Sequence, residues 1–179
     1  MNVLLHPKSL ACITPENRDF YDRAVTTCMR QPIPIDFRFT DSTVSDKDTS
    51  SLYGYGTFPV PPTHKIEIQY SRGEDSGTVL FWVVSENGRW YKDDPCINSD
   101  VIKQFHDDLP NIKAREAATK ALVAQIKDPL LSELRALLSE NKSATASQRY
   151  AQAAGKDGDT SLAVIEELEY QLRQPNSLH

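Results

Sequence analysis

Apolar residues first recur at helical spacing at Phe20, Ala24 and Cys28, with Tyr21 and Val25 beside them. One stripe of that period predicts a helix over residues 15–30, capped by Thr14 and with Pro15 in the first turn, where a missing N–H costs nothing. Gln31-Pro32-Ile33-Pro34 then forces an extended exit. From there the period drops to two. Ile35, Phe37 and Phe39 alternate with polar residues, and so do Ile66, Ile68 and Tyr70. Each set predicts a strand with one buried and one wet face. Between them residues 40–51 are a polar loop, and residues 52–58 are a glycine-interrupted strand candidate ended by Pro59, Pro61 and Pro62. Residues 78–84 are apolar on both faces, as expected of a strand central to its sheet and covered on both sides. Asn87-Gly88 is a strong hairpin signal and joins that strand to Arg89-Trp90-Tyr91-Lys92, so the sheet is expected to be antiparallel.

Beyond residue 97 the helical period returns. Ser99 caps a segment holding Val101, Ile102 and Phe105 that Pro110 should end, and a second helix should cover residues 112–127. Asp128-Pro129 opens a third with Leu130, Leu131, Leu134, Leu137 and Leu138. A fourth covers residues 144–154 and stops at Gly155, and a fifth covers residues 160–173 with Leu162, Ile165, Leu168 and Leu172 inward. Composition fixes the boundary: twelve of the fifteen aromatics lie before residue 98 and twelve of the fourteen alanines after it. The expected fold class is α+β. An N-terminal helix lies on an antiparallel sheet of about four strands (residues 1–97), followed by an all-helical segment of four to five helices (residues 98–179). The first helix covers one sheet face only. The helical part is thus a candidate for the other cover, which would make both parts one packed unit.

Two partial resemblances follow. Leu137-Leu138-Ser139-Glu140-Asn141-Lys142, then Ala146, Tyr150 and Ala153-Ala154-Gly155, then Leu162, Ile165, Leu168 and Glu169 resemble the helical hairpin in the C-terminal domain of the bacterial ribosomal stalk protein. The loop Lys156-Asp157-Gly158-Asp159 is longer than that pattern, and of its basic positions only Lys142 and Arg149 remain. The resemblance therefore implies a hairpin shape and a bacterial setting, without translation-factor binding. The front half, ending in Val83-Val84-Ser85-Glu86-Asn87-Gly88-Arg89-Trp90-Tyr91, is similar to cystatin-like domains and the related nuclear-transport-factor-like domains, in which a curved antiparallel sheet wraps a helix. Cystatin-like is the better fit, because the second family carries more helix before its first strand.

Charge narrows the function. The formal net charge is -5, with no basic patch to neutralise phosphates, so no nucleic-acid partner is expected. No stretch approaches the roughly 20 apolar residues of a membrane span, and Met1-Asn2-Val3-Leu4-Leu5-His6-Pro7-Lys8 lacks the pattern of a signal peptide. The expected setting is cytoplasmic, with a mature secreted form that has lost a leader as the alternative. Cys12, Cys28 and Cys96 make no metal-ligand spacing and read as reduced thiols. A Cys28–Cys96 bridge would suit an oxidising compartment.

Catalytic chemistry is thin. His6, His64, His106 and His179 are scattered, and consecutive His106-Asp107-Asp108 point in different directions. Asp93 and Asp94 would raise, not lower, the pKa of Cys96, which opposes its use as a nucleophile with His106. Glu166, Glu167 and Glu169 read as the wet face of the last helix. No catalytic residue, metal site or cofactor is assigned, and the reading leans away from an enzyme. The less bland feature is aromatic: Tyr53, Tyr55, Tyr70, Trp82 and Trp90, with Phe58 and Tyr91, could line one sheet as a small-ligand or peptide site. The expectation is a non-enzymatic bacterial protein that binds another protein or itself through the C-terminal helices. The alternative is a small-ligand-binding or cryptically enzymatic domain using the aromatic sheet, and a structural accessory domain is a third.

Overall fold

The computed structural model describes residues 5–30, 36–44 and 54–174. Its helices are α1 (Pro7–Ala11), α2 (Arg18–Arg30), α3 (Ser99–Gln125), α4 (Leu130–Ser139), α5 (Ser143–Ala154) and α6 (Gly158–Arg173). Its strands are β1 (Asp36–Thr43), β2 (Gly56–Thr57), β3 (His64–Arg72), β4 (Asp75–Glu86), β5 (Arg89–Asp93) and β6 (Cys96–Ile97). The fold is α+β, with a four-stranded antiparallel sheet in the order β1-β3-β4-β5 and a small sheet of β2 with β6. The chain divides into two compact units. The first holds Met1–Met29, Phe37–Tyr70 and Thr78–Asp108, and the second Arg30–Asp36, Ser71–Gly77 and Leu109–His179.

In the first unit the alternating runs become strands where the period demands. β4 lies inside the sheet between β3 and β5, as its apolar run requires. Asn87 (φ 52°) and Gly88 (φ 74°) are both left-handed, the geometry of the tight turn their sequence encodes. The register pairs Trp82 with Asp93, Val84 with Tyr91 and Ser85 with Trp90. Cover is uneven along β4: Val83 and Val84 are buried, but Val79 and Leu80 are 41% and 47% exposed.

Two local expectations need correction. α2 starts at Arg18, not at Pro15. Asn17 folds residues 14–17 into a turn, accepting from the Thr14 amide at 2.8 Å and donating to the Cys12 carbonyl at 2.9 Å. Residues 7–11 add a short helix that the apolar period does not signal, with Pro7 at its first position and the His6 ring as its cap. Pro110 also fails to end a helix, since α3 runs through it without a break. The missing N–H costs one hydrogen bond, but each end of α3 is anchored by its own unit. Phe105 packs edge-on against Phe20 at 5.2 Å in the first, and Val123 enters the core of the second.

The second unit packs α4, α5, α6 and the end of α3 around Val123, Ile126, Leu134, Leu138, Ala146, Tyr150, Val164, Ile165 and Leu168. The leucine periodicity supplies the facing stripes. Gly155, at φ 62°, ends α5 in the left-handed conformation expected of it. Asp157 caps α6 by accepting from the Thr160 amide at 2.8 Å.

The tip of the β3–β4 hairpin belongs to this unit and caps α5. Glu74 accepts from the Thr145 amide at 2.9 Å and from its hydroxyl at 2.6 Å, and Asp75 accepts from the Ser143 hydroxyl at 2.7 Å. The Glu74 carboxylate thus satisfies one open N–H of the helix's first turn, and the two Thr145 donors hold its carboxyl below its usual range. Gly73, at φ 59°, permits the approach, because a Cβ there would lie 2.1 Å from the Asn141 carbonyl oxygen.

Glu167 and Glu169 correct another reading. Both are buried rather than wet. Arg30 reaches Glu167 at 3.1 Å and lies over the Tyr170 ring at 4.6 Å, while Arg72 reaches Glu169 at 2.5 Å. Two arginines from distant parts of the chain thus make burial of the two carboxylates tolerable.

Candidate functional site

Trp82 and Trp90 do not share one lining. Cross-strand partners share a face and successive residues alternate. The register therefore puts Trp82, Val84, Tyr91 and Asp93 on one face of the β4–β5 pair, and Val83, Ser85, Trp90 and Lys92 on the other. Trp82 is half-buried against Phe58, with ring centroids 5.6 Å apart. Trp90 is 54% exposed and meets His64 edge-on at 4.9 Å. Tyr55 is exposed, and its backbone carbonyl accepts from the Asn98 amide at 3.0 Å. Burial first, and the nearby Tyr21 second, push the Tyr55 hydroxyl pKa up. Tyr70 is half-buried in β3. Tyr53 lies outside the described residues.

A polar cluster that the sequence did not flag sits on the Trp82 face. α1 lays His6 and Ser9 against the end of β5, where His6, Ser9 and Asp93 are all buried, Asp93 completely. The Ser9 hydroxyl donates to Asp93 Oδ1. The His6 ring packs edge-on against Tyr91, with centroids 5.4 Å apart. Its Nδ1 accepts from the Lys8 amide at 3.2 Å, which leaves the proton on Nε2. Nε2 lies 3.4 Å from Glu86 Oε2. Neither His6 Nε2 nor Asp93 Oδ2 has a hydrogen-bond partner among the described residues. Burial raises the Asp93 pKa; the Ser9 hydrogen bond pulls against it.

These three residue types resemble a hydrolase triad in name only. The serine is hydrogen-bonded to the aspartate, not to the histidine, so the imidazole does not serve as its base, and its hydroxyl is shielded from solvent. Single histidine and serine residues carry no periodic signal, so only the spatial pairing reveals them.

The backbone adds to the attachment. His6 N donates to the Lys92 carbonyl at 2.8 Å, and Leu5 bridges Lys92 in parallel, so residues 5–6 lie along the outer edge of β5. Cys12, just past α1, forms a disulfide with Cys96 in β6, with Cα atoms 5.3 Å apart. This corrects the reading of three reduced thiols: Cys28, the residue considered for a bridge to Cys96, is free and exposed. The bond also removes Cys96 as a nucleophile. His106 pairs with Asp19, at 3.0 Å, rather than with its own sequence neighbours.

Among the described residues, no three His, Cys, Asp or Glu side chains are grouped to hold a metal ion, and no helix is long and apolar enough to cross a membrane. No known protein family matches the chain, and neither does any curated protein or solved structure.

Proposed function

We propose that the protein is non-enzymatic and acts by binding another protein through its sheet-bearing unit. The observation that carries this is the uncovered end of β4, where Val79 and Leu80 stand 41% and 47% exposed on opposite faces of an inner strand. Phe39 in β1 adds a ring that is 64% exposed. Of the eight large hydrophobic residues exposed among the described residues, seven lie in the first unit, with Leu162 alone in the second. The helical unit spends its apolar residues on its own core, which moves the binding surface from the helices to the sheet.

The test is affinity capture with the full chain, beside Val79→Asp and Leu80→Asp. Partners held by the native chain and released by both variants, at unchanged circular dichroism, support the reading. Equal capture by native and variant chains, or no partner at all, overturns it. The small-ligand reading has less support, since Trp82 and Trp90 point from opposite faces and cannot share one lining.

A further inference from the structure

We propose that residues 5–12 form a strap over the outer edge of β5 that is locked by the Cys12–Cys96 bond and released by its reduction. The strap's attachments are polar. Among the described residues it gives β5 a backbone hydrogen bond from His6 N to the Lys92 carbonyl, beside the Leu5–Lys92 bridge, and a side-chain hydrogen bond from Ser9 to Asp93. The His6 ring rests on Tyr91. Apolar anchoring is slight: Leu5 is half-buried, Ser9 is the one buried residue of α1, and Leu10 is 40% exposed.

Docking also strands polar groups. Asp93 Oδ2 is buried without a hydrogen-bond partner among the described residues, and the buried His6 Nε2 faces the Glu86 carboxylate at a long 3.4 Å; both regain water when the strap lifts. A few hydrogen bonds must then offset both this penalty and the entropy of ordering eight residues. The covalent tie to Cys96 removes most of that entropy, so it holds the balance. Residues 13–17, between the strap and α2, are the natural pivot.

The step balances as thiol–disulfide exchange. A thiolate of a dithiol reductant attacks one sulfur of the bond, and its second thiol resolves the mixed disulfide. The reductant ends as a disulfide, while Cys12 and Cys96 each gain an electron and a proton. Release uncovers the backbone edge of β5 and the Asp93 carboxylate.

Hydrogen exchange read by mass spectrometry tests this on the full chain, oxidised and after treatment with dithiothreitol. Amide protection across residues 5–12 and 89–93 should fall at least tenfold on reduction, with β3, the rest of β4 and the second unit unchanged. Retained protection over residues 5–12 would mean that the polar contacts suffice, and the proposal fails. Loss spreading through β3 and β4 would make the bond a general staple, and the proposal fails equally. Cys12→Ser should reproduce the reduced pattern without reductant. Should that variant not fold, chemical reduction of the folded native chain still decides the outcome.

Discussion

Gly73 and Gly155 offer a paired experiment, because both are left-handed glycines of the second unit and differ in one respect. An added Cβ at Gly155 (φ 62°) meets nothing within 4 Å, whereas at Gly73 (φ 59°) it would lie 2.1 Å from the Asn141 carbonyl oxygen and 2.6 Å from Asn141 Cβ. Alanine in a left-handed conformation costs about 1–2 kcal/mol at either site. At Gly73 the side chain must also push the hairpin tip off the turn before α5, an overpacking cost of about 1–3 kcal/mol more. That movement would break the contacts of Glu74 and Asp75 with Thr145 and Ser143 as well. Gly155→Ala should therefore lose about 1 kcal/mol and Gly73→Ala about 3 kcal/mol, on the same principles. Urea unfolding followed at 222 nm reads the helical unit directly, and an unchanged slope with a lowered midpoint would mark a true stability loss. Equal losses for the two variants, within about 0.5 kcal/mol, would refute the docked hairpin tip, because the backbone term alone would then account for both.

Two further outcomes are expected. Leu134→Ala empties a completely buried position in the helical core; it should cost about 3–4 kcal/mol, seen as a lowered urea midpoint, and a loss near 1 kcal/mol would mean that the site collapses around the cavity. Asp93 carries a pH signature of unusual sign: its pKa is raised by burial, so its stabilising contribution is complete below the ordinary value of 3.8 and is lost as pH rises through the raised one. The stability of the native chain relative to Asp93→Asn should accordingly fall as pH rises from acid, and a flat or rising difference would contradict the buried placement.

Much of this architecture was legible from local chemistry. The turn at Asn87-Gly88, the alternation in β3 and the leucine stripes of α4 and α6 depend on residues close in sequence, so their signals are self-contained. What escaped depends on distant partners. Glu167 and Glu169 look wet on a helical wheel, and only Arg30 and Arg72, far earlier in the chain, reverse that. The Cys12–Cys96 pairing, separated by 84 positions, is set by where α1 lands and not by cysteine spacing. The same holds for His6, Ser9 and Asp93, whose types predict solvent and whose docking predicts burial. Tyr70, Trp82, Trp90 and Tyr91 lie in strands, yet strand parity puts Trp82 and Trp90 on opposite faces, and parity follows from register rather than composition.

The hairpin tip at Ser71–Gly77 has a consequence for how the chain is made. It is synthesised well before α5, the helix it caps, and belongs to a unit that also needs Arg30–Asp36 from earlier still. On the ribosome the tip must wait, with Glu74 and Asp75 unengaged, until Ser143 and Thr145 emerge. A gene cut near residue 97 or residue 108 would separate the tip from the helix it completes. The helical fragment would then start its α5 with an open N-terminus, so neither unit is encoded by one uninterrupted stretch of sequence.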